Sequence, residues 1–190
     1  MLSAHIAAAY QNGSEELHDY GLRLVGVGRG DAHAAPAAAR VWETDLSTMS
    51  QHPALQHEVF GPSTLVVRWS TQHALVTFLS TLEGQLTATI HASRDETRSM
   101  EPLWQALSEV AGRLLFGGFP TGVEVCDAMV HGGPFPATSN ASTTSVGTRA
   151  IRRFARLLAL QNAPQTLLPP ELQDGNPRQI WRMVDGVMTK

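Results

Sequence analysis

Ser63-Thr64-Leu65-Val66-Val67-Arg68-Trp69 is a run of β-branched and apolar residues that reads as a buried strand. Downstream of it, helix and strand patterns alternate. Residues 71–82 carry Leu75, Val76, Leu79 and Leu82 at helical spacing, and residues 86–91 (LTATIH) alternate as a strand does. Residues 93–110 read as one helix, with Ser93 as N-cap and Met100, Leu103, Trp104 and Leu107 on one face; Gly112 fits the position just past its end. Residues 113–116 (RLLF) make another strand. This order predicts an α/β fold, a mostly parallel sheet with flanking helices.

Upstream, residues 6–19 read as a short helix interrupted at Asn12-Gly13, residues 22–27 (LRLVGV) as a strand and Val41-Trp42-Glu43-Thr44 as another. Pro36 argues against a helix through the Ala-rich run at 34–40. The expected core therefore places strands near Leu22, Leu65, Thr87 and Leu114, with helices near Leu75 and Trp104. Toward the C-terminus, residues 117–147 are rich in Gly, Pro, Ser and Thr, too long for a plain connector and of a length that loops reach for function or when disordered. Residues 148–160 are amphipathic, with Arg149, Arg152, Arg153 and Arg156 beside Ile151, Phe154, Leu157 and Leu158. The tail from Asn162 holds Pro164, Pro169, Pro170 and Pro177; an extended or irregular path needing a partner surface is expected.

Composition narrows the function. The chain has 190 residues, 43% of them apolar, which suffices for a folded core. A net charge of −3 gives no footprint for nucleic acid or an anionic membrane. No apolar run reaches the ~20 residues of a membrane span, and residues 1–10 lack the basic and apolar regions of a signal peptide. The single cysteine, Cys126, excludes an internal disulfide framework and suggests a cytoplasmic protein. Eight scattered histidines show no metal-ligand spacing, so no metal site is expected. Cys126 stands between Val125 and Asp127, with no cation beside it to favour a thiolate, and reads as structural rather than nucleophilic. Gly26, Gly28 and Gly30 follow a strand, yet the third glycine is misplaced for dinucleotide binding and Ala35-Pro36 follows in place of a helix start. A glycine-rich surface turn is the better reading.

Glu58-Val59-Phe60-Gly61-Pro62 has two readings on residue chemistry alone. One is a strand-entry turn with an exposed acid. The other is a carboxylate fixed to accept hydroxyl hydrogen bonds beside an aromatic ring, a pair that suits a ribose and its attached base.

This E-x-F-G-P run resembles the nicotinamide-ribose motif of the aldehyde dehydrogenase superfamily. GRLLFGGFPTGVEV (residues 112–125) and HGGPFPAT (residues 131–138) look like the corresponding stretches of its 2,5-dioxovalerate (α-ketoglutaric semialdehyde) dehydrogenases. The resemblance runs in order from about Met1 to Pro177. It implies that Glu58 and Phe60 contact NAD or NADP, Glu58 at the ribose hydroxyls and Phe60 at the nicotinamide. Phe119 and Phe135 would line the pocket for a small aldehyde. Catalysis in that family uses a thiolate, a general-base glutamate and a cofactor domain, all upstream of the motif; no cysteine precedes Glu58 here. The resemblance thus implies residues 1–156 as a partial catalytic domain and residues 157–190 as an oligomerisation strand and extended tail. It implies no catalytic residue in the chain, no cofactor bound by the chain alone, and a homo-oligomer joined through LLALQNA (157–163). The alternative is a stand-alone, non-catalytic, oligomerising interaction protein. Two departures stand out: His57 where an acid often precedes the glutamate, and Gly117 where asparagine is usual.

Overall fold

The computed structural model describes residues 1–29 and 37–190. Gly30, Ala35 and Pro36, which enter the sequence argument, lie outside the described residues. The chain divides into two compact units, Met1–Arg153 and Phe154–Lys190.

The first unit opens with α1 (Ala4–Asp19), capped by the Ser3 hydroxyl, which accepts from the Ile6 N–H at 3.2 Å. Its buried face is Ala7, Tyr10, Ser14 and Leu17, a 3-4-3 spacing. The expected interruption at Asn12-Gly13 is absent. Glycine costs a helix about 1 kcal/mol relative to alanine, but Gly13 lies against Val59, whose Cγ1 would stand 3.2 Å from an added Cβ. Tertiary packing overrides the local preference.

β1 (Arg23–Val27), β2 (Arg40–Asp45) and β3 (Ser63–Arg68) form one sheet in that order. β1 is antiparallel to β2, while β2 and β3 are parallel, joined through α2 (Leu46–Gln51) and a 3₁₀ turn at Pro53–Gln56. Trp42 on β2 sits at the centre of a core with Leu17, Leu22, Met49 and Leu55, flanked by Val59, Leu65, Val67 and Phe78. On the sheet, Glu43 bridges two arginines, Arg23 at 2.5 Å and Arg68 at 2.9 Å. Those hydrogen bonds, first from Arg68 and then from Arg23, bring its carboxyl down from 4.5 to about 2.

α3 (Gln72–Leu79) begins at Thr71, whose hydroxyl caps the Ala74 N–H, and packs on α4 (Glu101–Val110). β4 (Gln85–Ile90) and β5 (Ala111–Phe116) form a separate parallel pair joined through α4. The α/β class holds, and the pairings β2–β3 and β4–β5 are parallel as expected, but the strands do not join into one sheet among the described residues. Among the described residues the strands fall into a three-stranded mixed sheet, this parallel pair and a C-terminal hairpin.

Two helical expectations also differ. The helix over 93–110 is split into a 3₁₀ segment, Arg94–Met100, and α4. Pro102 lacks an N–H, so the hydrogen-bond ladder cannot run through it. Ser93 still marks the start: its N–H and hydroxyl both donate to the Glu96 carboxylate, at 2.9 and 2.7 Å. Gly112 is not the residue past a helix end but an interior residue of β5. The amphipathic stretch 148–160 is 3₁₀ only over Thr148–Phe154, then irregular. Its Ile151 and Phe154 are exposed, and an apolar helical face without a packing partner gains little.

In the second unit, β6 (Arg182–Val184) and β7 (Val187–Thr189) form an antiparallel hairpin. Asp185 and Gly186 turn it, both at positive φ (50° and 80°), as a two-residue I′ turn requires. Residues 157–163 form no strand. A strand exists only as one side of a ladder, and no ladder partner faces them among the described residues.

Candidate functional site

The segment 57–60 comes after the 3₁₀ turn and leads into β3. It runs along α1 and leaves a groove of about 350 Å³ lined by His5, Ala9, Glu16, Tyr20, His57, Glu58 and Phe60. Glu58 is exposed, with no hydrogen bond or ion pair to it among the described residues. The Phe60 ring beside it is 67% exposed. A carboxylate with unused acceptors next to a bare aromatic face fits two ribose hydroxyls and a flat ring. The wall opposite this pair is α1.

The loop after β5 is irregular but well tied. Gly117 takes φ +70°, a left-handed conformation that glycine adopts without strain, and its N–H donates to the Ile90 carbonyl at 2.9 Å. The Arg113 guanidinium donates to the carbonyls of Gly122 at 2.8 Å and Pro120 at 3.1 Å. The segment 132–135 is threaded across the start of β4 and β5. A Cβ on Gly84 would stand 2.0 Å from the Pro134 oxygen, and one on Gly112 2.0 Å from the Gly132 oxygen. The Gly84 N–H donates to the Phe135 carbonyl at 3.1 Å. Further on, the Asp127 carboxylate accepts from the Thr148 hydroxyl and faces Arg149 at 3.6 Å; both lower its pKa from 3.8, the hydroxyl more.

The two phenylalanines of the expected aldehyde pocket are fully displayed, Phe119 at 79% and Phe135 at 80% exposure. The Phe119 ring leans on His91 at 5.2 Å, just past the end of β4, while the Phe135 backbone is bonded at Gly84, just before its start. About 20 Å of strand separates those two anchor points. Cys126 is half-buried, and among the described residues no hydrogen bond reaches its thiol. Gly26 and Gly28 lie where β1 meets β2; the Gly28 N–H donates to the Ala39 carbonyl at 2.7 Å. Among the described residues the next element after β1 is the antiparallel strand β2. Among the described residues no cluster of three or more His, Cys, Asp or Glu could hold a metal. No helix there is long and apolar enough to cross a membrane.

No family model matches the chain. Individual proteins do. The chain is 46% identical, over all of its length, to an alpha-ketoglutaric semialdehyde dehydrogenase from Acinetobacter baylyi. It is 46% identical over 98% of its length to alpha-ketoglutaric semialdehyde dehydrogenase 2 from Azospirillum brasilense. From end to end the chain is similar to the C-terminal part of aldehyde dehydrogenases. It spans 36% of the length of each of these two relatives. A solved betaine aldehyde dehydrogenase from Staphylococcus aureus superposes with a TM-score of 0.58 at 14% identity, covering 81% of this chain and 29% of that one. That likeness is one of fold.

Tyr10 and Gly13 on α1, which seat the 58–62 turn, are not singled out by the sequence alone. The signal is present in part: Tyr10 lies on the helical stripe with Ala7, Ser14 and Leu17, but no local pattern names the turn as its target.

Proposed function

We propose that this chain forms the C-terminal part of an NAD(P)-dependent enzyme that oxidises a small semialdehyde to its acid. Glu58 and Phe60 hold the nicotinamide-ribose end of the cofactor. The match at 46% identity with two semialdehyde dehydrogenases carries this reading. The free Glu58 carboxylate beside the bare Phe60 ring supports it. So does the apolar surface of the parallel strands: Val66, Leu86 and Phe116 are each about two-fifths exposed (42%, 39% and 45%), whereas parallel sheets are covered on both faces.

NAD or NADP, when bound, accepts the hydride. Glu58 would orient it by accepting from the ribose hydroxyls, and Phe60 would bound the ring's position. This pair supplies neither a nucleophile nor a pyrophosphate site, so the chain alone binds cofactor weakly and turns over no aldehyde. In the purified chain, nicotinamide mononucleotide at millimolar concentration should shift the NMR signals of Glu58 to Phe60, and Glu58→Ala should abolish the shifts. A semialdehyde with NAD(P) should give no absorbance change at the reduced-nicotinamide band. Shifts that fall elsewhere sink the cofactor assignment. Turnover lost on Cys126→Ala would show that the chain carries its own nucleophile.

The tail is proposed to join subunits. Leu157 is 99% exposed, Leu158 and Leu160 are exposed too, and Pro164 cannot donate to a ladder beyond them. Light scattering should show a homodimer or larger assembly for the chain and a smaller species for a version ending at Arg156. Monomers in both at micromolar concentration exclude this role.

A further inference from the structure

The geometry points to Tyr10 as a positioning residue that sets where Glu58 and Phe60 stand, through contacts on the opposite side of the same turn. The cofactor role of that pair rests on the proposed function; the placement of the turn is a separate matter and can be tested without cofactor.

Tyr10 is 1% exposed and projects from the buried face of α1. Its ring occupies the space a side chain at position 61 would need: a Cβ on Gly61 would stand 2.2 Å from Cδ2 and 2.7 Å from Cε2. Gly61 has no positive φ, so glycine is required there by this ring and not by backbone conformation. The Tyr10 hydroxyl donates to the Ala38 carbonyl at 2.7 Å and reaches the Pro62 carbonyl at 3.3 Å. The Arg40 N–H donates to the same Pro62 oxygen at 2.9 Å, and the Arg40 guanidinium stands over the Tyr10 ring, 5.6 Å from its centroid. One turn along α1, Gly13 receives Val59.

The turn is thereby held at alternate residues. Val59 and Gly61 meet α1, while Glu58 and Phe60 carry the exposed side chains of the groove, whose lining half-buried Val59 shares. Val59 and Gly61 flank Phe60, and Val59 adjoins Glu58, so the depth at which Val59 and Gly61 seat on α1 dictates where the other two are presented. Tyr10 contributes the floor through its ring and the lateral tie through its hydroxyl.

Tyr10→Phe keeps the ring and removes only the tie. The Arg40 and Ser63 amides donate to the Pro62 and Gly61 carbonyls, at 2.9 and 2.8 Å, and report the turn's mobility. Their hydrogen exchange should quicken roughly fivefold, what one hydrogen bond's net contribution corresponds to, while β5 amides stay unchanged. Gly61→Ala alone should lower the midpoint of thermal unfolding; in a Tyr10→Ala background it should add little, because the colliding ring is gone. Nicotinamide mononucleotide shifts at Phe60 should weaken in Tyr10→Phe. Unchanged exchange at Arg40 and Ser63, or additive losses for Tyr10→Ala and Gly61→Ala, overturns the inference. If exchange and non-additivity appear but the wild-type chain shows no nucleotide shifts, Tyr10 positions the turn and it is the cofactor assignment that fails.

Discussion

Gly112→Ala should destabilise the protein by about 3 kcal/mol, the upper end of the usual cost of overpacking. The new methyl would meet the Gly132 carbonyl oxygen at 2.0 Å and its carbon at 2.6 Å. Both are backbone atoms, so no rotamer change relieves the contact. Either β5 leaves β4 or residues 132–135 leave the end of the sheet. The second outcome is expected, because the β4–β5 pairing is regular and the 132–135 segment is bonded to Gly84 by one backbone hydrogen bond. Urea unfolding would measure the loss, and protease digestion would show new cleavage near residues 131–137. A stability within about 0.5 kcal/mol of wild type, the range of an inert surface change, would show that this close approach is not required.

Trp42→Ala should cost about 3–5 kcal/mol, a large share of the roughly 5–15 kcal/mol a domain commonly has. Trp42 is 3% exposed, and Leu17, Leu22, Met49 and Leu55 close around it. These residues come from α1, the residue before β1, α2 and the 3₁₀ turn, so a cavity there loosens every element that leads to the 58–62 turn. Trp42→Phe should cost much less. It keeps most of the volume and removes the indole N–H, which is buried without a partner. Calorimetry on both variants decides the matter; equal losses would show that a phenyl ring does not replace the packing of the indole in this core.

Local pattern carried much of the fold. The succession of β3, α3, β4 and β5 was legible because strand and helix periodicity are written into residues two, three and four apart. Ser93 was legible for the same reason, its cap being local hydrogen-bond chemistry, and the break after Phe116 showed in the change to Gly, Pro, Ser and Thr. The C-terminal hairpin was readable as well and was missed: Asp185-Gly186 between Val184 and Val187 is a two-residue turn signal, obscured by the prolines before it.

The sequence by itself determined the order and type of most elements, and it placed Glu58 and Phe60 side by side on a turn before a strand. Only the tertiary structure decided what those elements meet. Gly112 looked like a helix end because its neighbours are helical; it is glycine because Gly132, twenty residues on, passes over it. Gly13 looked like a helix break and is instead the seat for Val59, and Gly61 is glycine because Tyr10 lies beneath it. The division of the strands into separate sheets was equally hidden, since a strand's own residues fix its two faces but not which neighbour it pairs with. Propensity acts over a few bonds, whereas steric exclusion acts between any two segments that the fold brings together. The glycines that shape the candidate site answer to contacts distant in sequence, and no spacing rule along the chain encodes them.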